Sequence, residues 1–389
     1  MARTNKGKTQ KQQHHHIACC FQGGGALGAY QVGVLHALDE AGYDPNWFAG
    51  TSIGAINAAI AAGNPPKERV EKMYQFWETI ATPSFIEGSF LPNDDESRKI
   101  EHFFSAQSSL LFGQPGFFAP RFPPLLMGYY DAPDSLSFYD TRNLKSTLEQ
   151  FIDFDRLNSK ETRISIGAVE ICSGEMMYFD SQDTKIRPEH IMASGALPPG
   201  FPAVEIDGEY YWDGGISCNS PATYVLSVNR CPKNLLCFAI HLFDSYGLYP
   251  NSLDAVMKRK KDIEYSSRFA QAVEMYQQIH ALKNTIHILS RYVPKEERDN
   301  PELKLCIARG HQSTISLVRF LYEHDETEFS SKDYEFSRKS ISERIKHGYL
   351  DGRKAIKKSP WDQPVSQTTG IAVYDMSPNK HLKEESENE

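Results

Sequence analysis

The sequence predicts an α/β fold with a mainly parallel central sheet, and three observations carry that expectation. "IACCF" (residues 17–21) is a short apolar run that ends at glycines, as a buried parallel strand does. It leads through a glycine-rich turn into Ala26–Ala41, where Leu27, Tyr30, Val34, Leu35 and Leu38 fall at helical spacing and Gly42 supplies a stop. "WFAGTSIGAINAAIAAG" (47–63) then repeats the plan of apolar lead-in, tight turn and helix. Two such units in succession imply parallel strands joined by crossover helices.

The remaining elements follow in order. Residues 84–133 crowd proline, glycine and aromatics together, most densely in "LLFGQPGFFAPRFPPLLMGYYDAP" (110–133), and read as a long irregular excursion. "RISIGAVEI" and "EMMYFDS" are strand-like runs joined through Cys172, Ser173 and Gly174, and "VEIDGEYYWDGG" carries a hairpin turn signal at Asp207-Gly208. "LLCFAIHLF" (235–243) is a further buried-strand candidate. Residues 252–291 are helical and charged in pattern, and their basic run Lys258, Arg259, Lys260, Lys261 reads as a solvated helix face. Ser340 and Glu343 stand at capping-box spacing and set the start of a later helix.

At 389 residues, with 40% hydrophobic and 24% charged side chains, the chain is long enough for one large core and an extension. A net charge of -8 argues against nucleic-acid binding as the main activity. The polar start "MARTNKGKTQKQQHHH" has no apolar signal region, and no segment reaches membrane-spanning length, so a soluble or at most peripheral protein is expected. Seven scattered cysteines without a C-x-x-C pair point to reduced thiols in a cytoplasmic setting. His14, His15 and His16 have no further ligand at metal spacing and are assigned to a flexible tail.

"FQGGGALGAYQ" (21–31) holds Gly-x-Gly-x-x-Gly at Gly23, Gly25 and Gly28, which serves either a dinucleotide or an oxyanion. The acid that a dinucleotide site needs belongs at the end of a second strand, whereas Asp44 lies in "AGYDPN", before one has begun. "GTSIG" (50–54) is a stronger signal. It places Ser52 on a strand-to-helix turn between the small residues Gly50 and Gly54, as a strained nucleophile elbow requires, with a helix N-terminus behind it. No histidine after Ser52 stands in a motif that marks a base. "YYWDGG" (210–215) instead ends a strand-like run on Asp213, followed by Gly214 and Gly215.

These three glycine-bearing sites, in this order, resemble the patatin-like phospholipase family over roughly residues 17–245, including "ASGALPPGFPAVEIDG" (193–208). The resemblance implies a three-layer α/β/α fold, a Ser–Asp dyad of Ser52 and Asp213, and an oxyanion loop drawn from Gly23, Gly24, Gly25, Ala26 and Gly28. It implies lipid ester hydrolysis through an acyl-enzyme, with phospholipid, lysophospholipid or another acyl ester as substrate and with no metal or organic cofactor. An acyltransferase using the same intermediate and a catalytically silent lipid-binding or interaction module remain as alternatives, and peripheral membrane contact stays open. Gln22 stands where many relatives have Asp and Leu27 where many have Arg or Lys, so the loop lacks a cation. The chain is thus read as a flexible tail (1–16), a catalytic domain (17–245), a helical accessory extension (246–372) and a disordered acidic tail (373–389). The aromatics of 110–130, such as Phe112, Phe117, Phe118 and Phe122 with Leu125, Leu126 and Met127, are candidates either for an acyl tunnel or for core packing.

Overall fold

Alternation along the first strand already divides the molecule into layers. The computed structural model describes residues 16–82, 95–122, 132–228, 234–266, 269–310, 313–324, 328–363, 365 and 370–377. In strand β1 (His16–Phe21), Cys19 and Phe21 face one hydrophobic core while Ala18 and Cys20 face another. The chain continues through helix α1 (Ala29–Glu40), β2 (Trp47–Thr51), α2 (Ile53–Ala62), α3 (Arg69–Thr79) and α4 (Asp95–Phe112). There follow β3 (Ala119–Pro120), β4 (Tyr139–Asp140), α5 (Arg142–Phe151), α6 (Phe154–Leu157), β5 (Arg163–Glu170), β6 (Met176–Asp180) and α7 (Pro188–Ser194). The last elements are β7 (Val204–Ile206), β8 (Glu209–Asp213), α8 (Ala222–Ser227), β9 (Leu235–His241), α9 (Leu253–Tyr265), α10 (Phe269–Ser290), α11 (Pro301–Arg309), β10 (Ile315–Leu321), α12 (Arg338–Lys358) and β11 (Ile371–Asp375).

Among the described residues one large sheet runs in the order β11-β10-β9-β1-β2-β5-β8-β7, with β6 also paired to β5. The strands from β11 to β5 are parallel, and the β5–β6, β5–β8 and β7–β8 pairs are antiparallel. Apolar side chains of α1, α2, α3 and α12 cover one face, and those of α8 and α10 cover the other. The result is the expected three-layer arrangement with a mostly parallel sheet. Helices α1 and α12 cross at very short range, because a Cβ on Gly33 would stand 1.9 Å from the Ile345 carbonyl oxygen and one on Gly348 would stand 2.0 Å from that of Tyr30.

The structure changes several expectations. The excursion at 84–133 contains the eighteen-residue helix α4; residues 83–94 and 123–131 lie outside the described residues. The chain beyond residue 245 is helical as expected, but it also adds β10 and β11 to the central sheet, so residues 373–375 lie in a strand rather than in the acidic tail. His16 belongs to β1 rather than to the N-terminal tail, while His14 and His15 lie outside the described residues. Helix α12 is capped by Ser337, whose Oγ accepts from the Ser340 amide, so the start falls before the predicted box; Glu343 pairs with Arg98 instead.

The basic run on α9 is not a solvated face. Lys258 donates to the Glu328 carbonyl, Arg259 to the carbonyls of Asp244 and Ser245, and Lys261 to the Ser330 carbonyl and the Asp333 carboxylate. Lys260 alone of the four reaches outward, toward Glu264 on the same helix. Lys258 and Lys261 fix the turn at 328–334 against α9, and Arg259 fixes the loop at 244–245.

Candidate active site

Ser52 sits between the end of β2 and the start of α2 with φ 56° and ψ -130°, a conformation that a non-glycine residue holds only when its surroundings enforce it. Two close approaches enforce it. A Cβ on Gly50 would lie 2.2 Å from the Gly54 carbonyl oxygen, and one on Gly54 would lie 2.1 Å from the Phe21 carbonyl oxygen. A hydrogen bond completes the support, since the Ser52 amide donates to Ser194 Oγ (2.9 Å), whose hydroxyl in turn donates to the Gly167 carbonyl on β5 (2.6 Å). Ser194 closes α7 and was not singled out in the sequence.

Asp213 ends β8, only 2% exposed; its carboxylate accepts from the Gly215 amide (2.7 Å) and lines the same cavity as Ser52, whose side chain is near enough to favour the ionised form. Burial pushes its pKa up to about 7, against the lowering effect of the Ser52 side chain and the Gly215 amide. Gly214 presses onto β5, where a Cβ would stand 2.6 Å from the Gly167 carbonyl oxygen. The 161 residues separating Ser52 from Asp213 in sequence (213 − 52) are thus spanned by the β2–β5–β8 pairing, which places both strand ends at one cavity.

The glycine loop lies on the other side of Ser52. Gly25 has φ 55°, a left-handed conformation that suits glycine, and packs against the Asp333 carbonyl. The loop amides are not equivalent. Gly23 N–H is taken by Asn219 Oδ1 (3.1 Å), and Asn219 Nδ2 donates back to the Gly23 carbonyl (3.0 Å). The amides of Gly24 and Gly25 make no hydrogen bond to protein among the described residues, and both residues line the cavity. Ala26 and Gly28 are buried away from it; Gly28 packs on Ile53 and Trp77 and accepts from Asn57. The structure therefore brings Gly24 and Gly25, of the five predicted loop residues, to the cavity with open amides.

Gln22 and Leu27 are both buried. Gln22 Oε1 accepts from the Leu242 amide (2.6 Å) while Nε2 donates to the Tyr265 carbonyl (2.9 Å), a pair of contacts that needs an amide rather than a carboxylate. Asn219 also donates to the Tyr265 carbonyl (3.2 Å), so the glycine loop is tied to the end of α9 by two side chains.

These elements line a narrow cleft that is open to solvent. Phe117, Phe118, Phe201 and Phe336 form a contiguous aromatic wall, with ring centroids 5.0–6.3 Å apart. Phe117 and Phe118 thus line it, whereas Phe112 and Phe122 are exposed and Leu125, Leu126 and Met127 lie outside the described residues. Among the described residues no histidine lines the cavity. His190 accepts from the Arg187 amide, and His241 meets Ser220 and Arg319 in the core. Among the described residues no cluster of metal-ligating side chains occurs.

Ser52 thus stands on a strand-to-helix elbow of a mostly parallel sheet, beside open loop amides and a buried carboxylate. A family model described as patatin-like phospholipase matches residues 19–226, and one described as patatin phospholipase matches residues 263–368. This chain belongs to the patatin-like phospholipase family. Lysophospholipase nte1 of Aspergillus terreus (strain NIH 2624 / FGSC A1156) is 50% identical over 46 residues, a stretch that spans 12% of this chain and 3% of that protein. Among solved structures, VipD from Legionella pneumophila is 14% identical with a TM-score of 0.38, the match covering 89% of this chain and 67% of that one. Human GIVD cytosolic phospholipase A2 is 10% identical with a TM-score of 0.35, covering 90% and 60%.

Ser194 offers a test of the elbow's support. Ser194→Ala leaves the Ser52 amide without its acceptor, so kcat for ester hydrolysis should fall by about ten- to a hundredfold, and stability by about 1–2 kcal/mol. Steady-state kinetics with a urea melt measures both; unchanged kcat would show that the glycine contacts alone hold the nucleophile.

Proposed function

We propose that this chain is a serine acyl hydrolase that cleaves carboxylic esters of lipids through a Ser52–Asp213 dyad. The observation that carries the reading is that Ser52, on its elbow, and Asp213, a buried carboxylate whose basicity is raised toward neutral pH, line the same cavity. Asp213 takes the hydroxyl proton as Ser52 Oγ attacks the ester carbonyl, and the amides of Gly24 and Gly25 with the α2 N-terminus face the oxygen that becomes charged. The proton then passes to the leaving alcohol, and water repeats the cycle on the acyl-enzyme. The aromatic wall suits the acyl chain. Lipid esters, phospholipids and lysophospholipids among them, are the substrates that the family membership favours.

Peripheral contact with a lipid surface is supported by Leu136 and Phe138, both more than half exposed, on a segment bonded to the Pro199 and Gly200 carbonyls beside the cavity. Among the described residues no helix is long and apolar enough to cross a membrane. The six described cysteines are free thiols, which supports a cytoplasmic location.

Fatty-acid release from a panel of lipid esters by wild type and its loss in Ser52→Ala tests the hydrolase reading. Glycerol added as acceptor separates it from acyl transfer, which would yield a new ester in place of free acid. The pH dependence is a second test. Because the base must be ionised, kcat/KM should rise with pH around a midpoint near 7 and fall away below it. A flat profile from about pH 5 to 9 would remove Asp213 as the base.

A further inference from the structure

Given the hydrolase reading, on which this inference rests, the cavity has one wall that the acyl chain does not explain. Besides the aromatic wall, the cavity is lined by Tyr334, Asp333, Tyr265 and Asn219, of which the first three come from the chain beyond residue 245. Among the described residues no Lys, Arg or His lines the cavity, whereas two carboxylates do, those of Asp213 and Asp333. Two cations on the elements that bound the cavity are already spent, Lys261 on Asp333 (2.7 Å) and Lys332 on Asp262 (2.6 Å). Among the described residues, a phosphate drawn into this space would meet carboxylates and no free counter-charge lining it.

Tyr334 is held firmly. Its amide donates to the Ser331 carbonyl (2.9 Å), the preceding Asp333 carbonyl packs on Gly25, and Lys332 is anchored with its side chain fully buried. The Lys261 ammonium lies 5.7 Å from the Tyr334 ring centre. Yet the Tyr334 hydroxyl makes no hydrogen bond to protein among the described residues, although the residue lines the cavity. A fixed phenol with an unused donor in a partly dry cleft is a recognition group. Burial, with the nearby charges of Asp333 and Asp213, keeps that phenol protonated and able to donate.

We infer that the alcohol side of the substrate is uncharged and hydroxylated, as glycerol is, and that Tyr334 recognises it. The turn at 328–334, pinned by the cations of α9, thereby makes the C-terminal part of the chain a specificity element of the cavity.

The test compares monooleoylglycerol, ethyl oleate and oleoyl lysophosphatidate at equal mole fraction in neutral detergent micelles, with wild type and Tyr334→Phe. Wild type should favour monooleoylglycerol over the lysophosphatidate in kcat/KM by about tenfold or more. Tyr334→Phe should lower kcat/KM for monooleoylglycerol about tenfold and leave ethyl oleate within about twofold, the latter reporting an intact fold and dyad. Lysophosphatidate cleaved as readily as monooleoylglycerol would overturn the inference. So would a variant that slows both neutral esters alike, which places Tyr334 at the reacting centre, or one that slows neither. If wild type releases oleate from none of the three, the hydrolase reading itself falls; release without the predicted discrimination refutes the inference alone.

Discussion

Ser52→Ala should lower lipid ester hydrolysis by about ten-thousand-fold or more while leaving the fold and lipid binding intact. The size follows from the role proposed for the hydroxyl. Without it no acyl-enzyme forms, and only the loop amides and substrate binding remain to accelerate attack by water. The fold should survive because the features that impose the backbone at this position belong to its neighbours. Gly50 and Gly54 allow the close contacts, and Ser194 holds the main-chain amide of residue 52 rather than its side chain. Alanine accepts the same strain as serine at φ 56°. Initial rates paired with a thermal melt measure the effect; activity within tenfold of wild type would mean that another nucleophile does the chemistry.

Asp213→Asn should remove activity by about a thousandfold or more and, at the same time, stabilise the protein at alkaline pH. An amide of the same shape keeps the acceptor for the Gly215 amide but cannot take the Ser52 proton. The stability effect follows from linkage. The folded-state pKa, about 7, lies above the ordinary 3.8, so folding favours the protonated acid. Its favourable contribution is complete below the unfolded value, declines as pH rises and is lost above about 7. The gap between 3.8 and about 7 sets an upper bound of about 4 kcal/mol on the cost of keeping the ionised form buried. The asparagine variant escapes that cost, so its Tm should exceed that of wild type at about pH 8, with the difference shrinking toward pH 4. A Tm difference independent of pH would show that Asp213 is not held in the dry setting the mechanism needs.

Much of this site could be read from the sequence because its parts leave local marks. The strands β1, β2 and β9 are buried on both faces and so appear as continuous apolar runs. The elbow shows itself through Gly50 and Gly54, since only small residues allow Phe21 and Gly54 to approach so closely. Strand β10 left no comparable mark: its parallel partner β9 lies more than 70 residues earlier, so no turn announces the pairing, and Arg319 interrupts its apolar run. Helix α4 was hidden by the proline and aromatic residues that follow it, although Ile100, Phe103 and Phe104 stand at helical spacing.

The polar supports were invisible for a different reason. Ser194 and Asn219 act through partners on distant elements, Tyr334 reaches the cavity from the far part of the chain, and a single serine, asparagine or tyrosine carries no periodicity. The same holds for the cations of α9, whose acceptors lie about 70 residues away on the 328–333 turn or in the loop before the helix. Gln22 could be noticed as a departure from the family pattern, but its use as both donor and acceptor depends on α9 and β9 meeting the glycine loop in space.

The dyad is tested most directly by the rate at which a fluorophosphonate modifies the protein as a function of pH, with the adduct located by peptide mass spectrometry. Modification should fall on Ser52 and accelerate through a midpoint near pH 7 in the wild type. In Asp213→Asn it should be slow and show no such midpoint. An adduct on a different residue, or a Ser52 adduct whose rate and pH profile are the same in both proteins, would contradict the pairing of this hydroxyl with this carboxylate.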